Sequence, residues 1–186
     1  MNVYDFDKTI YDGDSTVNFY RYCLRKKPSV LKHLPKQICA FFKYILKIYD
    51  KTQMKEVFYG FLQDLDDVDS LLDIYWEENM KKIKAWYKET KRDDDVIISA
   101  SPEFLLKIPC KTLGVKMMAS KVNKKTGKYS GVNCHGEEKV RRFYEEFPDG
   151  EIEKFYSDSY SDTPLAQIAK ESYMVKGNIV SEWIYR

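Results

Sequence analysis

Between residues 15 and 90 the chain carries one glycine, Gly60, and its apolar residues recur every three or four positions. Leu31, Leu34, Ile38, Phe41, Phe42, Ile45 and Ile48 keep that step. Val57, Phe61, Leu65 and Val68 keep it too, followed by Leu71, Leu72, Tyr75, Trp76, Met80 and Ile83. This spacing puts apolar side chains on one face of a helix. So long a block with so few backbone breakers reads as several packed helices. Breaks fall near Lys27-Pro28, at 49–52 and at 64–69, and Ser70 is a candidate cap after the last.

The flanking segments read differently. Residues 2–7 (NVYDFD) form a short strand running from apolar into acidic residues. From Asp93 onward, short β-branched or aromatic runs alternate with helical stretches. Val96-Ile97-Ile98 up to Ser101, 115–120, 154–157 and 173–176 are the expected strands, with a turn at 124–127 before 129–132. Pro102-Glu103 opens a helix to about Ile108, and 137–147 and 164–170 supply two more. Strands alternating with helices specify an α/β fold with a parallel sheet covered on both faces. The helical block is thus an insertion after the first strand and its turn. The closing GNIVSEWIYR is expected to be a short terminal segment.

Composition narrows the class. The chain has 186 residues, with 31 Lys plus Arg against 29 Asp plus Glu, a net charge of only +2. That balance argues against a protein directed at nucleic acid. The normal apolar fraction and 15 tyrosines exclude disorder as the main state. The four cysteines have neither CxxC spacing nor zinc-ligand histidines nearby, so they read as reduced thiols of an intracellular protein. The apolar stretch 38–49 is broken by Lys43 and Lys47 and falls short of the ~20 residues a spanning helix needs. The expected location is cytoplasmic.

Four constellations carry chemistry. Asp5-Phe6-Asp7-Lys8-Thr9 ends the first strand, and carboxylates at i and i+2 of a strand share one side. At the carboxyl end of a parallel sheet, where ligands bind, such a pair needs a cation or a shared proton. A charged strand end facing water is the simpler account. Asp158 to Asp162 is a second acidic pair after a strand, which could equally cap the helix opened by Pro164. Ser99 follows a buried strand and could join backbone N–H groups in holding an anion; Ser101 reads as an N-cap. Lys139 alone would be a solvated helix lysine.

In this order the four resemble the haloacid dehalogenase-like phosphohydrolases. DxDxT matches Asp5, Asp7 and Thr9; the strand-end hydroxyl matches Ser99 in VIISAS; the lysine motif matches Lys139; the last motif matches Asp158 and Asp162 in SDSYSD. The context CHGEEKV is similar to the phosphoserine-phosphatase-like branch. The resemblance implies a Rossmann-like three-layer core with a parallel sheet, residues 1–14 and 92–186, and an all-helical cap, 15–91. It implies Mg²⁺-dependent hydrolysis of a phosphomonoester on a small phosphorylated metabolite, through an aspartyl-phosphate on Asp5. Asp7 would be the general acid and base, with Thr9 positioning it. Asp5, the backbone carbonyl of Asp7 and Asp158 would hold Mg²⁺, with Asp162 ligating or orienting. Ser99, Ala100 and Lys139 would hold the phosphoryl group.

The match loosens in the cap. Asp14 stands where phosphoserine phosphatases carry a substrate-binding Glu, and Ala100-Ser101 stand where they carry Gly-Gly. From Arg21 to Lys55 there are ten Lys or Arg and one acid, Asp50, interleaved with aromatics. This is either an amphipathic helix with solvated lysines or a surface for an anionic substrate or membrane. Residues 56–95 reverse the balance, with twelve acids against six bases. A lipid-phosphate phosphatase of the phosphatidylglycerophosphate type is therefore an alternative. A regulatory binder of phosphate or Mg²⁺ without turnover is another, though it would not need Asp7.

Overall fold

The computed structural model describes residues 1–185. Its centre is a six-stranded sheet in the order β3-β2-β1-β4-β5-β6. The strands are β1 (Asn2–Tyr4), β2 (Val96–Pro102), β3 (Lys116–Ser120), β4 (Ile152–Ser157), β5 (Ala169–Lys176) and β6 (Ile179–Glu182). All neighbours run parallel except β5 and β6, an antiparallel pair joined through Gly177 at φ 61. β6 is exposed along its length and closes one edge.

Strand alternation feeds two separate apolar cores. Val3, Val96, Ile98 and Phe155 point to one face, where α7 (Glu137–Glu146) supplies Phe143 and α8 (Thr163–Ile168) supplies Leu165 and Ala166. Tyr4 and Ile97 point to the other, against Leu105, Leu106 and Cys110 of α6 (Glu103–Leu113). This is the three-layer α/β arrangement expected for a parallel sheet. The tyrosines have structural work here. Tyr4, Tyr156 and Tyr173 sit opposite one another on β1, β4 and β5 and stack at 4.8 and 5.0 Å.

Between β1 and β2 the chain forms α1 (Ser15–Lys26), α2 (Leu34–Ile45), α3 (Lys51–Tyr59), α4 (Val68–Asn79) and α5 (Ala85–Thr90). Three breaks lie close to the expected ones, with short 3-10 turns over Pro28–His33 and Gly60–Asp64 and a turn before Lys51. A further 3-10 turn over Met80–Lys82 interrupts the run that the apolar spacing carries on to Ile83. The cap of α4 differs: Asp67 accepts from the N–H of Asp69 and Ser70 and from the Ser70 hydroxyl. The carboxylate outcompetes the serine because it accepts three bonds from one position.

The block is tied to the sheet at two places. Pro109 lies inside α6 and cannot donate to Leu105, so that carbonyl loses its helical partner. The indole N–H of Trp76 on α4 donates to it at 2.6 Å. The helix therefore passes the expected stop at Ile108 and ends at Gly114, in the left-handed region at φ 67. On the other side, the turn 123–128 packs on α3. Gly127 adopts φ 73, and a Cβ there would lie 2.5 Å from the Tyr59 carbonyl. Lys128 pairs with Glu56 at 2.9 Å, and Lys124 with Asp69. After the turn a single bridge joins Tyr129 to Val122. Gly131 at φ 125 breaks the extended conformation.

All four cysteines are free thiols. Among the described residues no helix is long and apolar enough to cross a membrane.

Candidate active site

The carboxyl ends of β1, β2 and β4 converge on a cleft of about 380 Å³ whose opposite wall is α3. Asp5, Asp7, Ser99, Ala100, Lys139, Asp158 and Asp162 all line it, as does Asp14. They arrive there because adjacent parallel strands end side by side, a geometry that gathers residues from distant stretches of sequence.

Lys139 organises the floor. It is 1% exposed, and its Nζ donates to Asp5 Oδ1 and Asp162 Oδ2, each at 2.8 Å. Asp162 also accepts from Ser157 Oγ at 2.7 Å, so it orients the lysine and does not cap α8. Burial disfavours the ammonium, but Asp162 and Asp5 outweigh it and hold Lys139 above the ordinary lysine value. Burial pushes Asp5 upward against the opposing pull of Lys139.

Asp7 is held from both sides. Oδ1 accepts from the Ser15 backbone N–H at 2.6 Å and Oδ2 from Ser101 Oγ at 2.5 Å. Burial, then the charge of Asp14, raises its pKa to about 6 despite these bonds. Two expectations change here. Thr9, expected to position Asp7, is fully buried, does not line the cleft, and has a hydroxyl without a partner among the described residues. Ser101 is not the N-cap of α6: that position is Pro102, without a side-chain cap. A register shift in β2 between Ser99 and Pro102 turns the Ser101 hydroxyl toward Asp7.

Ser99 is 2% exposed, and its Oγ accepts from the Ser101 N–H at 3.2 Å, which leaves its own proton free to donate. The Ala100 carbonyl is taken by Lys55 Nζ at 2.9 Å and Ser120 Oγ at 3.1 Å. Asp14 reaches the cleft but spends Oδ1 on capping α1 through the Val17 N–H. Lys8 adopts φ 58, and its carbonyl accepts from the buried Lys84 at 2.6 Å, which fixes the turn after Asp7.

The facing wall was not legible as a site in the sequence. Lys51, Met54, Lys55 and Phe58 recur at i, i+3, i+4 and i+7 and present one side of α3 to the cleft. Burial and then the neighbouring Lys51 bring Lys55 down to about 8. His135 lines the cleft too, its pKa lowered by burial and by Lys51. The one usable signal was the helical spacing of the two lysines with Met54 and Phe58.

The donor set suits a hard divalent cation. Asp158 lines the cleft, and its carboxylate makes no hydrogen bond or ion pair among the described residues; burial raises its pKa. Lys139 engages one oxygen of Asp5, leaving the other without a partner. Among the described residues no three His, Cys, Asp or Glu side chains converge as a preformed cage. Mg²⁺ does not need one, since it is usually held by one or two carboxylates, with water and phosphate oxygens filling its octahedron.

Residues 3–167 match the haloacid dehalogenase-like hydrolases. No curated protein matches the chain in sequence. A protein of unknown function from Bordetella pertussis Tohama I superposes with a TM-score of 0.77 at 17% identity, covering 92% of this chain and 87% of that one. A phosphoserine phosphohydrolase-like protein from Francisella tularensis subsp. tularensis SCHU S4 gives 0.58 at 16% identity, over 92% and 86%. The phosphoserine phosphatase from T. onnurineus gives 0.55 at 21% identity, over 92% and 81%. At these identities the likeness is one of fold.

Proposed function

The chain belongs to the haloacid dehalogenase-like hydrolases, and from that premise we propose that it is a phosphatase hydrolysing a small phosphomonoester through an aspartyl-phosphate on Asp5. The observation that carries this reading is the pairing of two differently held carboxylates at one strand end. Asp5 lies against the buried ammonium of Lys139, and Asp7 is clamped by Ser15 and Ser101. Burial raises both carboxyls, and Asp5 alone has the fixed ammonium of Lys139 at 2.8 Å to favour its anion. Asp7 is held instead by the Ser15 N–H and the Ser101 hydroxyl, and a carboxyl raised to about 6 in that setting suits a group that must give and take a proton.

In the first step an Asp5 oxygen attacks phosphorus in line, and the bond to the leaving oxygen breaks. Asp7, protonated, gives its proton to that oxygen, and the alcohol departs. In the second step Asp7 takes a proton from water as the water oxygen attacks phosphorus. The acyl-phosphate bond breaks, inorganic phosphate leaves, and Asp5 is regenerated. Ser99 and Lys139 hold the phosphoryl oxygens as their charge shifts. Asp5, Asp158 and the backbone carbonyl of Asp7 would hold Mg²⁺, which when bound neutralises phosphoryl charge. Asp162 acts by orienting Lys139 through its 2.8 Å contact.

Asp5→Asn is expected to lower turnover of an aryl phosphate about a thousandfold or more while leaving the circular dichroism spectrum unchanged. An active Asp5→Asn enzyme would remove Asp5 as nucleophile. EDTA is expected to silence the parent enzyme and added Mg²⁺ to restore it; turnover indifferent to chelation would remove the metal from the reading. A panel of phosphorylated metabolites and lipid phosphates identifies the leaving group.

A further inference from the structure

Nine of the seventeen exposed large apolar residues lie between positions 31 and 48, a small fraction of the chain. On α2, Leu34, Ile38, Phe41, Phe42 and Ile45 stand at i, i+4, i+7, i+8 and i+11 and form one uncovered stripe. Leu46 and Ile48, 68% and 64% exposed, extend it into the turn after the helix. Scattered exposed apolar residues are ordinary; a contiguous run marks a contact surface. The stripe does not serve folding. α2 meets the molecule through another side, where Gln37 and Ala40 are buried and Gln37 bonds the Tyr20 hydroxyl and the Phe58 carbonyl.

Charge selects the partner. The segment from Arg21 to Lys55 has ten bases and one acid, and that acid, Asp50, is used to cap α3. Lys36 and Lys47 are exposed without an ion pair among the described residues, and Lys43 lies over the Tyr49 ring at 4.8 Å. A second copy docking through this face would set cations against cations, so self-association is disfavoured. The partner must combine negative charge with an apolar layer beneath it. An apolar stripe along one side of a helix, with lysines on its other side and in the turn beyond it and a tyrosine beside them, fits an anionic lipid surface.

We infer that α2 and the turn after it seat the protein on an anionic bilayer, with Ile38, Phe42 and Ile45 at the acyl boundary and Lys36 and Lys47 among the headgroups. This goes beyond the proposed hydrolysis and does not rest on it, since none of these residues lines the cleft.

The test is co-sedimentation of the whole chain with vesicles of phosphatidylcholine alone and of phosphatidylcholine mixed with phosphatidylglycerol. Binding is expected only to the mixed vesicles, weakening as salt rises. Ile38→Ser/Phe42→Ser/Ile45→Ser and Lys36→Glu/Lys47→Glu are each expected to weaken it about tenfold or more. Both variants should keep the parent's thermal midpoint and its turnover of a water-soluble aryl phosphate. The inference is overturned by no binding to mixed vesicles at low salt, or by parent-level binding of both variants. It is equally overturned if vesicles fail while the chain dimerises in a manner abolished by the apolar substitutions, or is captured through this face by an acidic protein. Because aryl-phosphate turnover is read separately, loss of membrane binding and loss of the phosphatase reading give different results.

Discussion

The hydroxyl of Ser101 reaches Asp7 Oδ2 at 2.5 Å across a separation of 94 positions and fixes one of the two oxygens of that carboxylate. Removing it leaves Asp7 with one fixed oxygen and a freer side chain. Ser101→Ala is expected to lower kcat about tenfold to a hundredfold with little change in KM, since positioning matters most where the proton moves. Steady-state kinetics on an aryl phosphate would read the split. A sequence reading of Ser101 stops at the N-cap, because a hydroxyl before a helix is usually a cap and the register shift in β2 is made by tertiary packing. Lys139 shows the same limit from the other side. Taken alone it reads as a solvated helix lysine, yet it is buried between Asp5, just after β1, and Asp162, in the turn before α8, which are 157 positions apart in sequence. Asp5, Asp7, Ser99 and Asp158 were legible because strand ends are local features and parallel strands end together. The surroundings of Thr9, buried with its hydroxyl unpartnered among the described residues, are not legible in the same way, because a fixed spacing from Asp7 says nothing about where a hydroxyl finds its partner.

At the scale of elements, α6 shows how a rule of local propensity is overridden. A proline stops a helix by leaving a carbonyl four residues back without a donor and by crowding it. Here the orphan is the Leu105 carbonyl, and an indole N–H from α4 takes it. Trp76→Phe keeps most of the buried ring and removes that donor. It is expected to cost about 1–3 kcal/mol, the penalty of a buried carbonyl left without a partner, measurable by urea unfolding. A stability equal to the parent's would mean that water or a relaxed helix satisfies the carbonyl. The helix breaks at 27–28, 49–52 and 64–69 were legible because proline, charge runs and lost periodicity are all written locally. The edge strand β6 was not, since its residues are exposed on all sides and carry no period-2 alternation to betray a strand. Its pairing is dictated by the Gly177 turn and by β5 already being in place.

For the molecule as a whole, the helical insertion and the sheet face each other across the cleft, and the turn 123–128 bridges them on one side. Gly127 makes that bridge possible by letting the backbone come against Tyr59. Gly127→Ala adds a methyl group where there is no room and demands a backbone angle that alanine resists. A loss of about 1–3 kcal/mol is expected, seen as a lower thermal midpoint, with vesicle binding through α2 unchanged. The chain itself crosses between the two parts beside Asp14 and again beside Arg92, so the insertion is anchored by two covalent passages as well as by the bridge. The aperture above Asp5 is bounded by Lys51, Met54 and Phe58: a leaving group is sorted first by girth against them, before any charge or hydrogen bond has been tried.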